Sequence, residues 1–138
     1  MMKKINRFIK YLLPFFIVGL LIILYLNFFK SSCKNKQAIK YKLNNKSYCL
    51  LLADSPTKWS RGLMFYKKPV NFDGMIFIFP NKERLTFWNQ NTYLDLDIYW
   101  LDNDKILGKS FLLSIEKSKE TIYVSSPKPA NKVVEIIK

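Results

Sequence analysis

The chain has 138 residues, enough for one modest domain and too few for a multidomain enzyme. With 49% hydrophobic and 24% charged residues it can bury a core, and the absence of histidine excludes a Ser-His-Asp triad, a Cys-His pair and any His-built zinc site. Lys and Arg outnumber acids 23 to 10, a net charge of +13. Only Arg7, Arg61 and Arg84 are arginine, the residue favoured at bidentate phosphate and base contacts, so nucleic acid is not the expected partner. The abundance of Lys, Asn, Ile, Phe and Tyr is also what A/T-rich codon usage produces.

Residues 1–10 form a basic tail carrying Lys3, Lys4, Arg7 and Lys10. Residues 11–29, YLLPFFIVGLLIILYLNFF, contain no charge and one strongly polar side chain, Asn27. A helix of that length spans about 28 Å, close to the bilayer hydrocarbon thickness of about 30 Å. The run is apolar all round, unlike a core helix with its polar stripe. Lys30 stands where a cleaved signal would place a small residue and a lipoprotein signal an apolar one. The expectation is therefore an uncleaved single-pass anchor in the cell membrane, N-terminus inside and the following domain outside. Residues 30–37 read as a basic linker. In the reverse orientation Lys34, Lys36, Lys40, Lys42 and Lys46 would face anionic lipid or another polyanion. Cys49, within Tyr-Cys-Leu-Leu-Leu, reads as a small core residue, and an outside location would permit a Cys33–Cys49 disulfide instead.

Residues 38–138 alternate with period two. AIKYKL (38–43) and KSYCLLLAD (46–54) form a predicted hairpin about the Asn44-Asn45 turn. Ser55-Pro56 predicts a capped short helix over 56–61, ended by Gly62. GMIFIF (74–79), bounded by Gly74 and Pro80, is apolar on both faces. Strands follow over 84–90 and 94–101. In the latter Leu96, Ile98 and Trp100 share one face, and Asp95 and Asp97 the other. Asp102-Asn103-Asp104 is a turn, without the glycine and glutamate of a Ca²⁺ loop. Strands over 106–113, 121–124 and 132–137 complete the set, with Gly108 marking a bulge and Glu135 either half-buried and paired or on an edge. The fold class is all-β, a small barrel or sandwich with one short helical turn, behind a single transmembrane helix.

Five ordered blocks carry a resemblance. They are Arg61-Gly62-Leu63-Met64, the run Gly74–Phe79, Phe87-Trp88-x-x-Asn91-Thr92, Leu96-Asp97-Ile98, and Pro129-Ala130-x-x-Val133-Val134-Glu135. Over about 46–138 the chain resembles domain-of-unknown-function family 192, small bacterial and archaeal β-domains often behind a signal or membrane anchor. The resemblance implies the fold and no activity. Where the family has Trp-Met-Lys-Asn-Thr, Asn89 and Gln90 stand here, and Asp95 replaces a usual proline.

The candidate site is Arg61, Trp88, Asn91, Thr92 and Asp97. An indole face with planar polar groups suits a small-molecule, sugar-like or peptide-like ligand. The competing reading pairs Arg61 with Asp97 as a structural tie between helix and sheet. The proton carriers left for an enzyme are carboxylates, Lys and Tyr. Asp95 and Asp97 share a strand face, so a carboxylate hydrolase with one raised pKa is the alternative function. The chain is read as a binding domain rather than an enzyme, with no catalytic residue, no metal and no cofactor called for.

Overall fold

The computed structural model describes residues 18–22 and 33–138. The chain divides into two compact units, Met1–Ser32 and Cys33–Lys138. The anchor expected over 11–29 lies outside the described residues except at 18–22, which are helical. Among the described residues no helix is long and apolar enough to cross a membrane. The basic tail and residues 30–32 of the linker also lie outside them.

The second unit is built from β1 (Ala38–Leu43), β2 (Lys46–Ala53), α1 (Pro56–Arg61), β3 (Gly74–Glu83), β4 (Thr86–Trp88), β5 (Leu96–Asp102), β6 (Lys105–Leu112), α2 (Ile115–Ser118), β7 (Tyr123–Ser125) and β8 (Ala130–Ile137). Six strands make one sheet in the order β1-β2-β3-β8-β5-β6, and β4 and β7 pair separately. The all-β class holds, but no barrel closes: the sheet ends at β1 and β6. It is also mixed, because β2 and β3 run parallel. A parallel pair needs a crossover, and the chain makes it through α1 and the segment up to Asp73.

Local chemistry fixed the first elements as expected. Asn44 and Asn45 both take positive φ, 48° and 63°, the two-residue turn that Asn tolerates. Pro56 opens α1 and Gly62 ends it with φ 48°. Ser55 makes no side-chain cap bond, so proline's fixed φ and the missing N–H set this start rather than a hydroxyl.

Other boundaries differ from expectation. β3 continues through Pro80 to Glu83; its pairing with β8 shifts between Ile78 and Glu83, and that irregular stretch tolerates a residue without an N–H. The strand expected over 84–90 is only Thr86–Trp88, and that expected over 121–124 is Tyr123–Ser125. The four-residue α2 had no period to reveal it. At the expected bulge Trp100 pairs with Gly108 and Leu101 with Ile106, leaving Leu107 without a partner.

Cys33 and Cys49 are bonded, with Cα atoms 5.5 Å apart, which corrects the core reading of Cys49. Cys49 lies opposite Lys40 on β2 and is only half-buried, so a partner reaches it from the segment preceding β1.

The two sheet faces are unequal. Leu51, Ala53, Met75, Phe77, Leu96, Ile98, Trp100 and Val133 form the larger core, covered by Leu63, Phe72, Leu85 and Leu94 and flanked by Trp59, Phe87 and Val124. Leu43, Leu50, Ile76, Leu101 and Val134 make a smaller cluster with half-buried Tyr41, Tyr48 and Tyr99. Glu135 is neither paired nor on an edge. It lies on central β8, opposite Met75 of β3 and Ile98 of β5, and is 4% exposed.

Gly74 opens β3 where β8 passes closest. A Cβ there would sit 1.8 Å from the Glu135 carbonyl oxygen, a backbone atom that cannot step aside without breaking the β3–β8 ladder. Gly74→Ala is expected to cost about 3 kcal/mol or more, read as a fall in the urea midpoint of the full chain.

Candidate functional site

The larger sheet face is not fully filled. Between α1, the turn after it, β3 and β4 lies a cavity of about 200 Å³. Its walls are aromatic and held in place. Trp59 donates its indole N–H to the Ala53 carbonyl at 3.0 Å and packs on Phe79 with ring centroids 4.9 Å apart. Phe87 stands edge-on to both Phe77 and Trp100, at 4.9 and 5.5 Å. Gly62 passes beside the Phe77 ring: a Cβ there would come within 3.4 Å of it.

Three of the expected site residues reach this cavity. Arg61, the last residue of α1, lines it from an exposed position. Trp88 lines it from β4 and is 40% exposed, opposite the exposed Tyr123 of β7. Thr92 lines it while buried, its hydroxyl donating to the Gln90 carbonyl at 3.3 Å.

The other two do not. Asn91 is outside the lining; it takes φ 54°, and its carbonyl accepts the Phe65 N–H at 2.9 Å, so it shapes the chain. Asp97 alternates with the core residues Leu96 and Ile98 and therefore points to the opposite sheet face. There it pairs with Lys109 at 3.0 Å and Lys138 at 3.3 Å, which replaces the expected tie to Arg61.

The carboxylate pair of the hydrolase reading is engaged elsewhere. Asp95 accepts the Ser114 N–H at 3.0 Å and pairs with Lys117. Burial raises its pKa, but the Lys117 and Ser114 bonds outweigh that and leave it below the usual carboxylate range. The raised carboxyl is a different one. Glu135 lines the cavity, and burial alone pushes its pKa up to about 8. Its Oε2 is buried without a hydrogen-bond partner among the described residues. An acid flanked by Val133, Val134, Ile136 and Ile137 was the sequence signal for it.

Asn89, one of the two departures within the Trp-x-x-Asn-Thr block, is the internal brace of this region. Fully buried, it donates to the Leu113 carbonyl at 3.0 Å and the Ser118 hydroxyl at 2.7 Å, and accepts the Ile122 N–H at 2.9 Å. It thus joins the end of β4 to α2 and to the approach to β7, which holds Trp88 at the cavity rim.

Glu135→Gln separates the carboxyl's charge from its shape. The folded group holds its proton to about 8, against an ordinary value of 4.5, so the folded protein loses stability as pH rises from about 4.5 through 8. Glutamine does not ionise. The stabilities of Glu135→Gln and the unmodified protein, from urea titrations, are expected to agree near pH 4.5 and to differ by a few kcal/mol in favour of Gln above pH 8.

Residues 39–138 match the DUF192 family, described as Uncharacterized ACR. No curated protein matches the chain. Two solved structures share its fold. One is a protein of unknown function from Novosphingobium aromaticivorans DSM 12444, with 22% identity, a TM-score of 0.58 and coverage of 71% of this chain and 70% of that one. The other, described as a candidate transcription regulator from Sinorhizobium meliloti 1021, has 24% identity, a TM-score of 0.56 and coverage of 71% and 76%.

Proposed function

The chain belongs to the DUF192 family, and from that premise we propose that it is an extracytoplasmic domain, tethered by residues 11–29, which binds a small ligand in the cavity beside α1. The observation that carries the binding reading is Glu135. A buried carboxyl with an unpartnered oxygen is costly, and an apolar residue of similar volume would make a more stable sheet. A polar group kept at such a cost, at a concave aromatic-walled site, is the signature of a binding or reacting centre.

The lining residues divide the work. Trp88, half in solvent, offers an indole face at the mouth. Arg61 offers planar donors there, and Thr92 a buried hydroxyl. Asn91 and Asn89 keep the rim in shape.

The location rests on two features. The uncharged run 11–29 matches a bilayer in length. The Cys33–Cys49 disulfide suits an oxidising compartment, since such bonds seldom persist in a reducing cytosol.

Binding is tested by following the indole signals of Trp59 and Trp88 in the full chain against a panel of small aromatic, amide and sugar fragments. At least one fragment is expected to shift both with a common saturation curve, and Met64→Trp, which narrows the lining, to weaken it at least tenfold. A panel that moves neither indole removes the binding reading. Location is tested separately with a membrane-impermeant lysine-reactive ester on intact cells. Labelling of the exposed Lys34 and Lys36 without lysis is expected; labelling only after lysis places the domain on the inner side.

A further inference from the structure

The proposed site has a definite chemical character. Trp59, Phe77, Phe79, Phe87 and Trp88 supply its walls, and Glu135 supplies its acid. Aromatic faces attract cations through their quadrupoles, more strongly when the cation is desolvated. The unpartnered Oε2 of Glu135 is an acceptor waiting for a donor. We infer that the cavity takes a small organic ammonium ion, whose N–H group bonds Glu135 while its apolar body lies among the rings. This deepens the ligand-binding reading and rests on it.

Size agrees. A dry cavity of about 150 Å³ accepts benzene, so about 200 Å³ leaves room for a ring with one or two further heavy atoms.

The surroundings leave the carboxyl to the ligand. Directly across from Glu135 stand Met75 on β3 and Ile98 on β5, and along β8 its face continues in Val133 and Ile137. None of these titrates. Among the described residues Arg61 on α1 is the one other charged residue lining the cavity, and it is exposed, where water screens it. Burial is the cause acting on the Glu135 pKa, with no neighbouring charge contributing.

Binding therefore moves a proton. In the empty site the Glu135 carboxyl is uncharged at pH 7, since it holds its proton up to about 8. An entering ammonium ion stabilises the carboxylate, and the carboxyl proton leaves to solvent while the ammonium keeps its own. Affinity should climb about tenfold per pH unit between 6 and 8, one proton being released per ligand.

The test compares benzylammonium with benzyl alcohol on the full chain by calorimetry, in two buffers of different ionisation enthalpy, over pH 6 to 7.5. Benzylammonium is expected to bind at least tenfold more tightly than the alcohol, with close to one proton released and the stated rise with pH. Glu135→Gln, its fold checked by its melting curve, is expected to lose both the cation preference and the proton release. Equal binding of both probes, flat in pH, overturns the inference and leaves the ligand-binding reading standing. Binding of neither probe, with neither indole moved by the wider fragment panel, ends both. The wild-type pH dependence alone decides the matter should Glu135→Gln fail to fold.

Discussion

Strand β8 is hydrogen-bonded on both sides, to β3 through Gly74–Ile78 and to β5 through Leu96–Leu101. The halves β1-β2-β3 and β5-β6 meet nowhere else in the sheet. Residues 132–136 of β8 therefore serve two ladders while its side chains serve two clusters, Val133 in the larger and Val134 in the smaller. Gly74 is the concession that lets β3 approach so closely. Against that economy, a carboxyl at Glu135 is the one member of the strand whose burial works against stability.

That cost gives meaning to the rest of the site. The aromatic rings of the cavity are braced through Trp59 to Ala53, through Phe87 to Trp100, and through Asn89 to the segments around α2. Walls braced in this way hold the cavity open beside the carboxyl. The aromatic walls themselves supply no partner to the buried carboxyl oxygen, so its cost is left standing.

The local elements could be read from the chain because their causes are local. Asn44-Asn45 dictates its turn, Pro56 and Gly62 bracket α1, and alternation places Leu96, Ile98 and Trp100 together. The same alternation turns Asp97 away from that face, toward Lys109 and Lys138 and not toward Arg61. The parallel pairing of β2 with β3 and the disulfide depend on contacts distant along the chain. Pattern alone does not rank them. Glu135 was visible as an acid among β-branched residues, but whether such a residue marks an edge or a centre depends on strand order, and strand order is not periodic information.

The order of the sheet also has a consequence for how the protein reaches its final form. Its inner strand β8 follows every other strand of the described residues along the chain. Until that strand arrives, the two flanking ribbons present raw backbone edges toward each other, with nothing to zip them. The sheet can therefore lock only once residues 130–137 are available to both ribbons. Pairing at such a distance along the chain is slow to form, and an incomplete chain carries two unpaired edges while it waits.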